Sequence, residues 1–317
     1  MSPENPPTRR PRIVVVGSIN MDLVVRSAQL PRRGETVIGR ETQELPGGKG
    51  ANQAVAAARL EAEVALISRV GDDGFGQRLL RGLQDEGIDV SRVAVTAQCA
   101  SGLAIVAVED SGENSITVIP GANGRLTPDD VRGATELIHA ADVLLLQLEV
   151  PLETVLTAIE IAHQYETIVI LDPAPAPASF PSSLLSVAVA CPNESEAATL
   201  TGLAVVTLDD AKRAARHLRA QGVCHAVITL GRAGALVCGP DDQCEHIRSF
   251  EVQAIDTTAA GDAFAAALGV SLAQGKTIFD AVRYACAAGA LAASRQGAQP
   301  AMPTAAEVAR LVPELCR

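Results

Sequence analysis

Aromatic side chains are scarce in this sequence of 317 residues, which contains no tryptophan, five phenylalanines and two tyrosines. Proteins that hold single-stranded nucleic acid stack its bases on aromatic rings. So few rings argue against such a surface. An adenine ring bound by this chain is therefore expected to lie mainly between aliphatic side chains and backbone.

Basic residues are outnumbered as well, since 26 lysines and arginines face 37 aspartates and glutamates and the net charge is −11. Binding to nucleic acid requires a basic face, so no nucleic-acid partner is expected. No apolar run approaches the roughly 18 residues of a membrane-spanning helix, so no membrane partner is expected either. With 48% hydrophobic and 20% charged residues, the chain is typical of a globular protein of one or two domains.

The seven cysteines include no Cys-x-x-Cys pair. Their odd number and irregular spacing favour reduced thiols. The polar, proline-rich start of the chain lacks the apolar segment of a secretion signal. We therefore expect a cytoplasmic protein in which residues 1–11 form a disordered tail. The cysteines are Cys99, Cys191, Cys224, Cys238, Cys244, Cys286 and Cys316.

Short β-branched runs alternate with amphipathic helical stretches over most of the length. This alternation predicts an α/β fold, a doubly wound and mostly parallel sheet with helices on both faces. The strand candidates are continuously apolar, as strands buried on both faces should be. They are Ile13–Gly17, Val64–Ser68, Val143–Leu148, Thr167–Leu171, Val187–Cys191 and Ala226–Leu230. The helix candidates are Ala51–Leu60, Phe75–Glu86, Pro128–His139, Pro151–Tyr165, Asp209–Ala220, Ala260–Ala273 and Ile278–Ala293.

Two segments, 20–45 and 99–119, interrupt this alternation with shorter and more polar strands. They are inserted near the ends of core strands, where ligands bind in open α/β sheets. We expect them to form a small β-sheet lid over the site. The remaining segments, 12–19, 46–98 and 120–317, would then form the α/β domain that binds nucleotide and substrate.

The segment Asp256–Asp262, with the sequence DTTAAGD, runs directly into an alanine-rich helix. Small residues at a helix start let an anion approach the free backbone N–H groups, and the helix dipole favours negative charge there. Asp262 is placed to accept a proton from an attacking hydroxyl. The alternative is that Asp262 only caps the helix, and the spacing by itself does not exclude this.

The segment Gly47–Asn52, with the sequence GGKGAN, opens another predicted helix. Its glycines permit positive φ and close backbone approach, while Lys49 and Asn52 supply donors for a polyhydroxy ligand. The alternative is a tight turn with no binding role.

Three further polar side chains follow predicted strands. Asn20 and Asp22 come after the first strand, where short amide and carboxylate groups suit paired sugar hydroxyls. Glu149 closes the apolar strand that begins at Val143, and a carboxylate there needs a partner or a ligand. Turn formation is the alternative explanation for Asn20 and Asp22.

The segment Thr229–Gly234, with the sequence TLGRAG, follows a strand and contains two glycines. Such a turn can hold nucleotide phosphates with its N–H groups, although a plain hairpin explains it equally well. Asn193 and Glu196 lie one helical turn apart, a spacing suited to holding water on a magnesium ion.

Taken together, these motifs resemble the ribokinase family of sugar and nucleoside kinases. The resemblance spans Arg12 to about Pro303 and keeps the order of the family's motifs. They are Gly17–Asp22, Gly34–Val37, Gly47–Asn52, Gln147–Glu149, Asp172–Ala176, Pro192–Glu196, Thr229–Gly234, Asp256–Asp262 and Gly297–Pro300.

The resemblance implies a division of roles at the sugar. Asp262 would be the general base on a primary hydroxyl. The N–H groups of Ala259, Ala260 and Gly261 would form an anion hole. The sugar would be held by Asn20, Asp22, Gly48, Lys49, Gly50, Asn52 and Glu149, together with Asp262.

The resemblance also implies an ATP site and two metal ions. Magnesium would lie near Glu196, bound through water. Potassium would lie beside the anion hole, bound mostly by backbone carbonyls, and Ala301 there replaces a usual serine. The implied ATP contacts are Asn193, Thr229, Gly231, Gly234, Gly261 and Cys286. The implied potassium ligands are Asp256, Thr258, Ala292, Arg295, Gly297 and Ala301.

Within the family, the motifs favour transfer of the ATP γ-phosphoryl group to the 5-hydroxyl of D-ribose, which gives ribose 5-phosphate. The alternatives are another sugar such as deoxyribose, or a nucleoside. From other classes, a non-catalytic sugar-binding protein is possible, whereas a dinucleotide-dependent dehydrogenase lacks the required GxGxxG after the first strand. An exposed lid edge favours a homodimer through the lid.

Overall fold

Two β-sheets organise the residues that a computed structural model describes, 9–111 and 113–315. In chain order the strands are β1 (Arg12–Val16), β2 (Asn20–Ser27), β3 (Gly39–Gly47), β4 (Glu63–Gly71), β5 (Asp89–Thr96), β6 (Gly102–Glu109), β7 (Asn114–Ile119), β8 (Val143–Leu146), β9 (Ile168–Leu171), β10 (Val189–Ala190), β11 (His225–Thr229), β12 (Ala235–Cys238) and β13 (Cys244–Ile247). The α-helices are α1 (Lys49–Arg59), α2 (Gly74–Asp85), α3 (Pro128–Arg132), α4 (Thr135–Ala140), α5 (Leu152–Gln164), α6 (Glu194–Thr201), α7 (Leu208–Ala220), α8 (Ala260–Ala273), α9 (Ile278–Ala293) and α10 (Ala305–Leu311).

The larger sheet has the order β13-β12-β11-β10-β9-β8-β1-β4-β5. Its strands run parallel from β5 to β11, and β12 and β13 add an antiparallel edge. The chain proceeds from β1 to β4 and β5 on one side, and later to β8, β9, β10 and β11 on the other. The strand order therefore reverses between β1 and β8, which opens a crevice at the carboxyl ends of these strands.

The central strands of the larger sheet are buried on both faces, because their side chains point alternately to two cores. In β1, Ile13 and Val15 belong to the core beneath α1, α2, α8, α9 and α10. Val14 and Val16 belong to the opposite core, beneath α3, α4, α5, α6 and α7. Continuous apolar strands and helices on both faces follow from the same cause, so the predicted fold class is confirmed.

The smaller sheet has the order β3-β2-β6-β7. β2 runs parallel to β6, whereas β3 and β7 pair antiparallel with their neighbours. β2 begins shortly after β1 ends, so Asn20 and Asp22 lie where the small sheet leaves the crevice. The small sheet is formed from the two segments that were predicted to interrupt the α/β alternation.

One predicted helix is wrong in its extent. The stretch Pro128–His139 is two helices, α3 and α4, because the chain turns at Gly133 and Ala134. Gly133 has a low helix propensity, and its N–H closes the last turn of α3 on the Asp129 carbonyl.

The expectation of seven reduced thiols is also wrong. Cys238 and Cys244 form a disulfide across the antiparallel pair β12 and β13, where they are directly opposite each other. Hairpin formation brings together two cysteines that lack a recognised sequence spacing. Within the described residues, the free cysteines are Cys99, Cys191, Cys224 and Cys286.

Most of the predicted tail lies outside the described residues, which begin at Arg9. Arg9 forms an ion pair with Asp142, and the Pro11 carbonyl accepts a hydrogen bond from the Glu63 N–H at 2.8 Å. In the described ranges, no helix is both long and apolar enough to cross a bilayer.

Candidate active site

The predicted sugar-binding residues meet at the crevice between β1 and β8. The Glu149 carboxylate accepts the Lys49 N–H at 3.1 Å and the Ser18 hydroxyl at 2.5 Å. The Asn52 amide donates to Asp262 at 2.9 Å. Residues from the ends of two strands and from two helices thus face one small volume, as an enzyme site at a topological switch point requires.

Glycines allow α1 to begin against the end of β1. Gly48 has φ +89° and stands at the start of the helix, and a Cβ there would lie 2.6 Å from the Asn20 nitrogen. A Cβ on Gly50 would lie 2.6 Å from the Gly17 carbonyl carbon and from the Ser18 nitrogen. Any side chain at either glycine would therefore push α1 away from the crevice.

Asp262 does not cap its helix. The residue at the start of α8 is Ala259, and no side chain caps that end. The Asp262 carboxylate, 3% exposed, instead accepts hydrogen bonds from two consecutive amides of α1, Asn52 on Oδ2 at 2.9 Å and Gln53 on Oδ1 at 3.2 Å. This geometry removes the capping alternative and places the carboxylate in the crevice beside Lys49 and Asn52, two of the residues predicted to hold the sugar.

Several buried carboxylates share one lysine in this crevice. The Lys49 ammonium is 3.5 Å from Asp172 and 3.9 Å from Asp262. Burial raises the pKa of Asp262 to about 6, against the opposing effect of Lys49, and raises the pKa of Asp172 to about 6. Burial, followed by repulsion from Glu149 and Asp262, raises the pKa of Asp22 to about 7. A base with a pKa near 6 is deprotonated at neutral pH and is still able to accept a proton.

The raised pKa of Asp262 leads to a predicted pH dependence of the reaction. Protonation removes the only charge state that can act as a base, so kcat should fall as the pH drops through about 6, by about tenfold per unit below it. The check is kcat from about pH 8 to about pH 4.5, with circular dichroism to verify folding at each pH. A kcat that is level from about pH 7 to about pH 5 in folded protein would contradict the assignment.

The predicted anion hole lies at the amino end of α8. Gly261 is exposed, and a Cβ there would meet open space. Ala259 is buried, and the Ala260 N–H donates to the Thr257 carbonyl at 3.2 Å. The Ala260 N–H would therefore have to exchange this partner for a bound anion.

The predicted nucleotide residues lie along β11 and the turn that follows it. Thr229 forms a parallel bridge with Asn193, and its N–H donates to the Pro192 carbonyl at 2.9 Å. Gly231 and Gly234 have φ of +52° and +100°, and a Cβ on Gly234 would overlap the Ile247 carbonyl. The turn itself thus requires glycine at 234 and favours it at 231, whether or not the turn binds phosphate.

Asn193 and two further residues predicted on the nucleotide side, Glu196 and Cys286, have local structural partners or surroundings. Asn193 and Glu196 form a capping box at the start of α6, with reciprocal hydrogen bonds of 2.9 and 2.8 Å. Cys286 is buried in α9, which packs against β12 and β13, and burial raises the pKa of its thiol to about 12. Within the described residues, no three histidine, cysteine, aspartate or glutamate side chains form a ready-made metal site.

Two of the residues predicted to bind potassium, Thr258 and Gly297, contact the carboxylate of a third, Asp256. Asp256 accepts hydrogen bonds from the Thr258 N–H and from the Gly297 N–H, both at 3.0 Å, and so joins two loops. Ala292 accepts the Arg295 N–H at 3.1 Å at the end of α9, and the Arg295 side chain turns away to pair with a glutamate. Ala301 is buried in the loop that follows Gly297.

Sequence analysis missed three buried residues of the site. Asp172 appeared only within a motif, and Gln53 and Gln147 were given no role of their own, yet Gln53 contacts both Asp172 and Asp262. The sequence nevertheless contained a signal for the two glutamines. Gln53 stands on the buried face of an alanine-rich helix, and Gln147 directly follows an all-apolar strand, so each polar side chain needed a partner.

A model of the pfkB family of carbohydrate kinases matches residues 10–305. This chain belongs to that family. It is 40% identical to the ribokinase of Haemophilus influenzae over 298 residues, which cover 94% of this chain and 97% of that protein. It is 38% identical to a deoxyribokinase of Salmonella typhi, with 92% and 95% covered.

Among solved structures of the family, ribokinase of Arabidopsis thaliana complexed with ribose and ATP superposes on this chain with a TM-score of 0.88. The two are 32% identical, and the match covers 96% of this chain and 99% of that one. The predicted resemblance to the ribokinase family and the predicted ATP-dependent sugar kinase are thereby confirmed. The dehydrogenase alternative is excluded.

Proposed function

We propose that this pfkB-family enzyme transfers the γ-phosphoryl group of ATP to the 5-hydroxyl of D-ribose. The observation that carries the proposal is Asp262, a buried carboxylate with a pKa of about 6 that faces the crevice beside a cluster of hydroxyl-binding groups. The names of the relatives support ribose as the substrate. So does the Arabidopsis structure, whose crevice-forming fold this chain shares and which holds ribose and ATP.

The proposed mechanism starts with the hold on the sugar. Asn20, Asp22 and Glu149 stand at strand ends on one side, and the start of α1 at Gly48–Asn52 stands on the other. In the described structure, Asn52 Oδ1 is buried without a hydrogen-bond donor. A buried acceptor without a partner is costly, and a sugar hydroxyl would satisfy it.

In the chemical step, Asp262 removes the proton of the 5-hydroxyl as this oxygen forms a bond with the γ-phosphorus. The bond between that phosphorus and the bridging oxygen breaks, and ADP leaves. The N–H groups of Ala259, Ala260 and Gly261 face the charge that develops on the transferred group. ATP would lie along Asn193, Thr229 and the turn at Gly231–Gly234, with Cys286 near the adenine.

Magnesium bound with ATP would neutralise phosphate charge, and Glu196 would hold a water molecule on it. The capping box fixes the Glu196 side chain at the start of α6, where its Oε2 accepts the Asn193 N–H.

A coupled assay of ADP release tests the proposed substrate. Ribose, 2-deoxyribose, other pentoses and a set of nucleosides would be compared by kcat/KM, and the product position would be read by NMR. Ribose should be the best substrate and should be phosphorylated on its 5-oxygen. A higher kcat/KM for 2-deoxyribose would favour the alternative that the Salmonella relative suggests. If no sugar were phosphorylated, the alternative of a non-catalytic sugar-binding protein would be favoured.

Activation by potassium belongs to the same proposal. The carboxylate of Asp256 joins the loops at Thr258 and Gly297, and backbone carbonyls suit a large monovalent ion. The charge of the bound ion would orient the anion-hole peptides.

We expect higher rates in potassium than in sodium, but a smaller difference than in a relative with serine at the position of Ala301, because alanine offers no hydroxyl. The check is the rate in potassium, sodium and a bulky organic cation at fixed ionic strength. Equal rates in all three would contradict a monovalent site.

The small sheet is proposed to act as a lid and as the interface of a homodimer. Ile116 and Val118 lie on one face of the edge strand β7 and are exposed, and exposed apolar side chains on a sheet favour a partner surface. Sedimentation velocity should give a dimer, and Ile116→Lys should give a monomer. An unchanged dimer in this variant would contradict the lid interface.

We also propose a cytoplasmic location, where ATP is available.

A further inference from the structure

Two buried glutamines form a hydrogen-bonded chain that ends on the carboxylates of the crevice. Gln147 and Gln53 are both 0% exposed, and the Gln147 amide donates to Gln53 Oε1 at 2.6 Å. Gln53 Nε2 then donates to Asp172 at 3.0 Å and to Asp262 at 3.2 Å. One amide group therefore bridges two carboxylates that come from distant parts of the sequence.

The orientation of the Gln53 amide is determined from both sides. The reversed orientation would place Gln53 Oε1 against two carboxylates, which is repulsive, and would turn Nε2 toward the Gln147 donor. At the Gln147 end, this arrangement leaves a buried hydrogen-bond acceptor unsatisfied. Among the described residues, no donor reaches Gln147 Oε1, which lies so close to Gly17 that a Cβ there would overlap it. A buried acceptor is thus left without a donor while the Gln53 donor faces the carboxylates.

Asp262 is held at both of its oxygens by neighbouring residues of one helix, Asn52 at Oδ2 and Gln53 at Oδ1. With an amide hydrogen bond on each oxygen, the plane of the carboxylate is constrained, and the Gln53 amide is itself held by Gln147. The Lys49 ammonium, 3.9 Å away, does not provide the same constraint because it is beyond hydrogen-bond distance.

We propose that Gln53 is a positioning residue for phosphoryl transfer, locked in one orientation by Gln147, and that it fixes the Asp262 carboxylate toward the attacking hydroxyl. The proposal rests on the proposed role of Asp262 as the general base. Gln53 would act on the reaction only through the Asp262 carboxylate that it holds, and a small misplacement of a base is costly to a reaction that depends on alignment.

The test compares Gln53→Met with Gln147→Glu. Methionine keeps the volume of Gln53 and removes its donor, so kcat should fall on the order of 10- to 100-fold, while the KM values for ribose and ATP should stay within about threefold. The carboxylate that Gln147→Glu introduces would offer only acceptors, so the Gln53 amide should turn its Nε2 toward it and away from Asp172 and Asp262. Gln147→Glu should therefore lower kcat as well, although Gln147 touches neither of these carboxylates.

A pH profile supplies a readout that a merely structural role would not move. Asp262 is faced by Lys49, Asp172, Asp22 and Cys191, which are unchanged in both variants. The acid limb is read in Gln53→Met, because Gln147→Glu adds a carboxylate that would raise the pKa of Asp262 by its own charge. The hydrogen bond from Gln53 lowers the pKa of the Asp262 carboxyl, so its loss should move the acid limb of the kcat profile to higher pH. Asp172→Asn should move the same limb to lower pH, because the charge of Asp172 raises that pKa.

The control is Thr167→Val, which removes a buried hydrogen bond of 2.9 Å to Ile138 at the opposite end of the sheet. It should lower the melting temperature without moving the acid limb. An unmoved limb and an unchanged kcat in folded Gln53→Met and Gln147→Glu would overturn the proposal. A change confined to the ribose KM would overturn it as well.

If Asp262→Asn is inactive while the glutamine variants have normal kcat and pH profiles, only this proposal fails. If Asp262→Asn keeps its activity, the general-base role of Asp262 on which this proposal rests is wrong, whatever the glutamine variants show.

Discussion

Asp262→Asn is expected to abolish turnover while leaving sugar binding largely intact. Asparagine keeps the size and shape of the side chain, which is buried between α8 and α1, but it cannot accept the proton of the 5-hydroxyl. General bases of this kind contribute roughly 10²- to 10⁴-fold to the rate, so a loss of that size is expected in kcat. The measurements are kcat by ADP release and the ribose dissociation constant by calorimetry.

The matched control is Asp280→Asn. Asp280 occupies the third position of α9, as Asp262 does in α8, but it lies outside the crevice, and its carboxylate accepts the Thr277 hydroxyl at 2.9 Å at the start of its own helix. This variant should keep the wild-type kcat. If Asp262→Asn retains more than about a tenth of the wild-type kcat, the general-base role is wrong.

Glu149→Gln and Asp22→Asn are expected to raise the ribose KM far more than the ATP KM. Glu149 anchors both the Ser18 hydroxyl and the first N–H of α1, and Asp22 lies where the small sheet leaves the crevice. Hydrogen bonds to charged groups contribute about 1.5–3 kcal/mol, which corresponds to a rise in KM of roughly 10- to 100-fold. Both KM values would be measured by varying one substrate at saturation of the other.

Two variants complete the comparison. Asn193→Ala on the proposed nucleotide side should show the opposite pattern, with the larger change in the ATP KM. Glu153→Gln, four residues after Glu149 on the exposed surface of α5, should change neither value. A fall in ATP affinity of Glu149→Gln or Asp22→Asn that equals the loss for ribose would mean that the division of the crevice is wrong.

Local patterns were sufficient for much of this architecture. The helices α8 and α9 have the bounds that their alanine-rich sequences predicted, 260–273 and 278–293. The apolar strands β1, β4, β8, β9 and β11 were each located within a few residues, because burial on both faces leaves a continuous apolar run. The candidate residues Asn20, Asp22, Glu149 and Asp262 were identifiable because polar groups at strand and helix ends are conspicuous beside such runs.

The contacts between distant segments could not be predicted in this way. No sequence pattern indicated that the Gln53 amide reaches Asp172 and Asp262, which follow it by 119 and 209 residues. The pKa of Asp262 depends on burial and on Lys49, and the Cys238–Cys244 disulfide depends on strand pairing. Hydropathy and spacing report the burial of a residue and its local conformation. Which side chain it meets inside the protein is decided only when the strands and helices pack together, because packing sets both the partners and the dielectric environment of each buried group.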